Sequence, residues 1–255
     1  MFSDTMFTGT LLEDVLTIVI PCKNEEDYIG RLLADLYAQR GVRNPFGEGV
    51  KIYIADAGST DETVEIIERW QGLNTEIIPG GNVSFARNNG ASRVTTPYVL
   101  FIDADVRFFD TDAIQKAVRA IHENDLDLVT FRAKAYDSDF RAQLAYSVFN
   151  VANRLIAPFI PFATGAFFLT RTEVFRELGG FPEKYVATED FVLSRQYSPK
   201  RFRILREYYG QDDRRFKQMG YFGMLRYMAT NFLNRNNEEY MNNTDNFEKY
   251  WRQDG

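Results

Sequence analysis

Tyr98-Val99-Leu100-Phe101-Ile102-Asp103-Ala104-Asp105 runs from an apolar strand directly into two carboxylates two positions apart. In an extended chain, residues i and i+2 leave the same face, so Asp103 and Asp105 can converge on one Mg2+ or Mn2+, hard ions that prefer oxygen ligands. The apolar run ahead of them anchors the pair in a core. Alone, a D-x-D pattern is a weak signal, because aspartates commonly close strands and open turns. Its weight depends on what the other strand ends carry.

Upstream, residues 16–20 form a continuous β-branched apolar run closed by Pro21, and residues 25–37 follow with helical spacing through Ile29, Leu32, Leu33 and Leu36. Residues 51–54 repeat the strand pattern and lead into Asp56-Ala57-Gly58-Ser59-Thr60-Asp61. Val64, Ile66, Ile67 and Trp70 then mark a second helix with Thr60 or Asp61 as its cap. A short strand over 76–78, the Gly80-Gly81 turn and a helix over 84–92 complete the approach to Tyr98. Strands alternating with helices predict an α/β protein built on a Rossmann-like, mainly parallel sheet. Ligands of such sheets gather beyond the carboxyl ends of the strands. Residues 22–26, 56–59 and 103–105 are therefore expected on one rim.

Past residue 110 the rhythm changes. The pattern predicts helices over 112–121, 140–155 and 173–178, strands over 127–132 and 166–170, and a helix over 188–196 opening on Thr188-Glu189-Asp190. The Asn-rich stretch from residue 231 to 255 carries spaced aromatics and reads as a docked helical tail or a partly disordered one.

With 255 residues, 45% hydrophobic and 26% charged, the chain has the composition of a soluble globular protein. The N-terminal residues lack the pattern of a signal peptide, and the longest apolar stretch, 155–169, is short of the roughly 20 residues of a bilayer span and is broken by Pro158, Pro161 and Gly165. A cytoplasmic protein, peripheral to the membrane at most, is the expectation. One cysteine, Cys22, and one histidine, His122, leave no set for a zinc site, an internal disulfide or a Ser/His/Asp or Cys/His scheme. Any metal must be held by oxygen. Cys22 reads as a packing residue and His122 as a surface residue.

Together these segments resemble the family 2 glycosyltransferases of GT-A fold. The resemblance rests on Thr17-Ile18-Val19-Ile20-Pro21 with Asn24-Glu25-Glu26, Asp56-x-Gly58-Ser59-Thr60-Asp61, Ala86-Arg87-Asn88-x-Gly90, Asp103-Ala104-Asp105, Gly179-Gly180-Phe181-Pro182 and Thr188-Glu189-Asp190. Loose singly, the six motifs in order are specific together. The resemblance covers roughly residues 15–196, divided into a nucleotide-sugar-binding half (15–110) and an acceptor half (111–196). Residues 1–14 would precede it, and 197–255 would follow as a basic, aromatic, helical extension. It implies inverting transfer of a sugar from a nucleotide-sugar donor, usually a UDP-sugar with GDP or another nucleotide open, to an acceptor hydroxyl, with Mg2+ or Mn2+ as cofactor.

The resemblance also implies roles. Pro21, Asn24, Glu25, Asp56, Ser59, Arg87, Asp103 and Ala104 would line the donor, Asp105 and Asp103 the metal, Glu189 and Gly180 the acceptor, and Asp190 would be the general base. Each has a plainer alternative. Asp56 can be the Asx-turn residue before Gly58, Glu26 can favour a helix N-terminus, Arg87, expected to face the diphosphate or brace Asp103, can be a solvated helix arginine, and Thr188 can cap a helix whose dipole favours Glu189 and Asp190. The second acid that the family often carries before the glycine is replaced by Ala57.

Residues 195–235 hold ten basic residues against three acidic ones, with Tyr208, Tyr209, Phe216, Tyr221, Phe222 and Tyr227 between them. The patch suits an anionic membrane surface with a lipid-linked acceptor, a glycan, or, less well at a net charge of −6, a nucleic-acid acceptor; a solvated face over packed aromatics explains it equally. Two rival functions remain at this level: a binding protein of the same fold without turnover, and a sugar-nucleotide pyrophosphorylase. The acidic loop 21–26 is ill suited to the triphosphate the latter must hold.

Overall fold

The computed structural model describes residues 10–136, 140–185, 188–212, 219–234, 237, 239–240 and 243–246. Eight strands form one sheet: β1 Leu16–Cys22, β2 Lys51–Asp56, β3 Asn74–Pro79, β4 Tyr98–Phe101, β5 Arg107–Phe108, β6 Leu128–Ala135, β7 Phe168–Arg171 and β8 Phe202–Gln211. Their spatial order is β3-β2-β1-β4-β7-β6-β8-β5. The first four are parallel, β7 runs antiparallel to both β4 and β6, and β8 lies parallel to β6 and antiparallel to β5.

The helices are α1 Leu12–Val15, α2 Ile29–Ala38, α3 Thr63–Arg69, α4 Val83–Ser92, α5 Ala113–Glu123, α6 Phe140–Ile156, α7 Thr172–Glu177, α8 Glu189–Ser194 and α9 Tyr221–Leu233. Alternation along the strands builds a core on each side of the sheet, as a two-residue side-chain period requires. Leu16, Ile18 and Ile20 of β1 with Tyr98 and Leu100 of β4 face Ile29, Leu32, Leu33 and Leu36 of α2 and Ile114, Val118 and Ile121 of α5. Val19, Val99 and Phe101 face the other way, towards Ala91 of α4, Phe175 of α7, Phe181 and Leu193 of α8. Phe101 packs against Phe175 and Phe181 at ring-centroid distances of 5.0 Å each, which fastens the segment after α7 to the centre of the sheet.

The expected α/β order holds through residue 101, with differences of physical origin. The first helix begins at Ile29 rather than 25, because the N–H groups of Asn24, Glu25 and Glu26 are taken by Ser59 Oγ (2.9 Å), Thr63 Oγ1 (2.8 Å) and Asp61 Oδ2 (3.2 Å). The sheet also continues past residue 196: where a helical extension is expected, Phe202–Gln211 form β8, with Tyr209 buried in the core. Of the expected basic patch, Arg201 pairs with Asp125 and Asp127, while residues 214, 215, 217 and 235 lie outside the described residues. Most of the Asn-rich tail likewise lies outside them.

Candidate active site

The parallel registers align the strand ends. Cys22 pairs with Asp56 and Asp56 with Pro79, while Val19 pairs with Phe101, two residues short of Asp103. The loops after β1, β2 and β4 thus open on one rim.

Two of these loops are joined by hydrogen bonds. Asp56 accepts from the N–H groups of Gly58 (3.0 Å) and Ser59 (3.1 Å) and from Ser59 Oγ (2.5 Å), so its carboxylate closes an Asx turn. Asn24, at φ +52°, accepts from the Thr60 N–H at 2.9 Å, and Glu26 accepts from the Glu62 N–H at 2.9 Å. Glu26 therefore serves the N-terminus of α3 rather than that of its own helix. Gly58 stands at φ +77° with open space where a Cβ would be. Cys22 is buried, and burial, with the charges of Glu25, Asp56 and Asp61, holds its thiol far above the ordinary range, as a packing residue requires.

Arg87 is the centre of the site. It projects from α4, is 2% exposed, and donates from Nη2 to Asp103 Oδ1 (2.6 Å) and from Nη1 to Glu189 Oε1 (2.6 Å). Its Cζ lies 5.0 Å from the centroid of the Phe181 ring. One guanidinium thus ties the end of β4, the start of α8 and the Gly179-Gly180-Phe181 turn together, and the charges of Asp103, Glu189 and Asp190 strengthen its hold on its proton despite burial.

Asp190 sits half-buried next to Glu189. Its Oδ2 accepts from the Gly165 N–H (3.0 Å) and its Oδ1 from the Phe191 N–H (2.7 Å). Burial first, and then the charge of Glu189, push its carboxyl up to about 7, against the pull of Arg87 and the two N–H groups. Thr188, at φ +67°, makes no side-chain cap on α8, so the capping alternative for that residue fails. The carboxylates of residues 103, 189 and 190 meet on the same side of the molecule.

Asp103 and Asp105 differ from expectation in one respect. The strand stops at Phe101 and the chain turns, with Val106 N–H donating to the Asp103 carbonyl at 3.2 Å, so the two carboxylates leave a turn rather than an extended strand. Asp103 lends one oxygen to Arg87 and keeps 28% of its side chain exposed, while Asp105 is buried beneath the rim, its carbonyl accepting from the Tyr136 hydroxyl at 3.1 Å. Ala104 packs into the core. Among the described residues, no three His, Cys, Asp or Glu side chains form a cluster able to enclose an ion. Two carboxylates two positions apart supply oxygen ligands of the kind Mg2+ or Mn2+ takes, the rest of the shell falling to phosphate oxygens and water.

Sequence reasoning did not single out Gly165 or give Asn88 a role. A Cβ at Gly165 would stand 1.9 Å from Arg87 Nη2, so only glycine leaves space for the buried guanidinium. Asn88 holds the turn after α7 by both backbone groups of Phe181, accepting from its N–H (2.9 Å) and donating to its carbonyl (2.8 Å). Gly180, at φ +73°, would place a Cβ 2.7 Å from Asn88 Oδ1, so it is fixed by this clamp as well as by its backbone angle. The R-N-x-G spacing on α4 carried the signal for Asn88; nothing local marks Gly165.

Comparison with known proteins agrees with this geometry. Over 108 residues, 40% of the chain, it is 30% identical to the 4,4'-diaponeurosporenoate glycosyltransferase of Staphylococcus aureus, and over 122 residues, 46% of the chain, it is 25% identical to the glycosyltransferase GlyA of Streptococcus pneumoniae. The matches span only 27% and 16% of those proteins. Among solved structures, S. aureus TarS 1–349 in complex with UDP-GlcNAc superposes with a TM-score of 0.62 at 22% identity, over 78% of this chain and 59% of that one. The mannosyltransferase PcManGT of Pyrobaculum calidifontis, in complex with GDP-Man and Mn2+, gives 0.61 at 20% identity, over 77% and 56%. These likenesses establish the GT-A fold. The sequence pattern of glycosyl transferase family 2 matches residues 17–179, well over half of the chain, and the protein is therefore a member of that family.

Proposed function

We propose that this protein transfers a glycosyl group, with inversion, from a nucleoside diphosphate sugar to a hydroxyl of a lipid-linked or glycan acceptor. UDP-sugars are the first choice of donor. The observation that carries this reading is the Arg87 bridge, which holds Asp103 of the rim against Glu189 and leaves Asp190 beside them with a raised affinity for a proton.

In the proposed reaction, the loops joined through Asn24, Asp56 and Ser59 receive the nucleoside. Asp103 and Asp105 would hold Mg2+ or Mn2+, which when bound supplies positive charge against the oxygens of the departing diphosphate. Arg87 fixes the Asp103 carboxylate, and Glu189 fixes Arg87. As the acceptor oxygen bonds to the anomeric carbon from the face opposite the diphosphate, Asp190 takes the hydroxyl proton, and the bond between that carbon and the diphosphate oxygen breaks with its electron pair leaving on the diphosphate. The Gly165 and Phe191 N–H groups keep the Asp190 carboxylate oriented for that transfer. A base with its proton affinity near neutrality suits the task, since it is half ionised yet still basic enough to accept.

The test is purified protein with Mn2+ and a panel of nucleotide sugars, read as release of nucleoside diphosphate and transfer to candidate acceptors. Asp190→Asn is expected to lower transfer by about 10²–10⁴ while leaving donor binding intact. Donor binding with no release under any acceptor would instead favour a non-catalytic binder.

A further inference from the structure

The outward face of α6 is apolar, although its inward face already packs Ala142, Tyr146 and Phe149 on the core and adds two amides. Phe140, Leu144, Val148, Val151 and Leu155 are 55–73% exposed. At 100° per residue they fall within an arc of about 80°. On the opposite side, Asn150 accepts from the Ala133 N–H (2.9 Å) and donates to the Ala133 carbonyl (2.7 Å), and Asn153 donates to the Phe162 carbonyl (3.1 Å). The reason lies in β6, whose pairing with β7 is confined to Leu128 and Val129. Further along, Asn150 satisfies both backbone groups of Ala133 on that side of β6. A helix on a water-exposed surface presents a polar outward face instead.

Among the described residues, the helices that form this face carry no acidic side chain. No Asp or Glu occurs between Phe140 and Thr172, or in α9, which packs against α6 and exposes Phe222, Arg226 and Leu233, although the whole chain has 36 acidic residues and a net charge of −6. Arg141 and Arg154 flank the two edges of the apolar arc. Phe159, 79% exposed, extends the arc beyond the helix end. No helix among the described residues is long and apolar enough to cross a membrane.

We infer that α6, with Phe159 and α9, is a membrane-docking surface for an anionic bilayer, lying in the plane of the interface with its apolar arc at the headgroup boundary and its arginines among the lipid phosphates. Roughly 25 Å of helix is available to the lipid. The surface is wired to the site: Phe149 of α6 stacks edge-on against Phe162 (5.9 Å), and Phe162 against Phe191 (5.4 Å), the residue after Asp190. Docking would bring the acceptor side of the site to the membrane. That last step rests on the transfer reading; vesicle binding itself does not.

The experiment is flotation of the full chain with vesicles of phosphatidylcholine mixed with phosphatidylglycerol, and with phosphatidylcholine alone, alongside light scattering without lipid. Binding to the anionic vesicles is expected, weakening as salt rises. Leu144→Glu/Val148→Glu should lower it at least about tenfold while UDP–Mn2+ binding and the melting temperature stay as in the wild type. Absence of wild-type flotation, equal flotation of the charged variant, or a lipid-free dimer that the same variant dissociates would each overturn the inference; the last would assign the face to a second copy. Should the double variant misfold, the wild-type contrast between the two vesicle types decides alone. Loss of glycosyl transfer with flotation intact would count against the proposed function and leave the docking surface standing.

Discussion

The two sides of the rim are organised differently. On the proposed donor side, the loops after β1 and β2 hold each other: Asn24, Glu25 and Glu26 reach Ser59, Thr63 and Asp61 directly, and Thr60 and Glu62 reach back. On the acceptor side, the segments around Gly165, Phe181 and Glu189 come from distant parts of the chain and are gathered by α4, through Arg87, Asn88 and Ser84, whose hydroxyl donates to the Pro182 carbonyl at 3.3 Å. The proposed donor pocket is therefore built from contacts between successive loops, whereas the proposed acceptor side depends on one helix, α4.

The comparison breaks most readily at Arg87. Arg87→Ala leaves Glu189 buried without its cation and Asp103 without its brace, a loss expected to cost about 3–5 kcal/mol in unfolding free energy and to abolish transfer. Arg87→Lys, a point charge unable to reach both carboxylates with a planar fork, should recover only part of either. Chemical denaturation with a UDP-binding titration below the transition checks this. Unchanged stability would show that the acceptor side has supports other than α4.

Gly165→Ala probes the same dependence from the opposite face. The added methyl would have to displace Arg87 Nη2 or the loop whose N–H holds Asp190, and overpacking of this kind costs about 1–3 kcal/mol. Transfer should fall more than stability, because Asp190 loses its orientation, while UDP binding on the proposed donor side is expected within about twofold of wild type, a change of less than ~0.5 kcal/mol. Equal loss of both functions would erase the distinction between the two sides.

That asymmetry also explains what the sequence disclosed. The strand ends of residues 15–105 were legible because their pattern is local: each apolar run ends in its own motif, and Asp56 or Asn24 acts within a few residues or on the next loop. The direct partnership of Arg87 with Asp103, only 16 positions away, was anticipated as a brace. Its second bond, to Glu189 102 positions away, and the empty place at Gly165 depend on antiparallel β7 and on a turn that no periodicity encodes. Strand β8 hid within a basic stretch because Arg203, Arg206 and Tyr208 are exposed while few positions, Tyr209 among them, reach the core. The helical period located α6 to within a residue but could not tell which face turns outward, since that is decided by the unpaired edge of β6.

The smallest expected effect, and the sharpest on the chemistry, is pH. Asp190 ionises in the folded protein at about 7, above the ordinary 3.8, so its basic form is gained as pH rises, and kcat/KM should climb about tenfold per unit below 7 and level off above it. Stability runs the other way. A carboxyl that keeps its proton longer when folded than when unfolded stabilises the fold fully below about 3.8, and this contribution drains away as pH rises through 7. Between pH 5 and 8, roughly the window of this exchange, the wild type should lose stability while gaining activity, and Asp190→Asn should flatten both slopes. A flat wild-type rate profile with an intact stability slope would mean that Asp190 is a buried acid of the acceptor side but not the base, and that the proton leaves by another route.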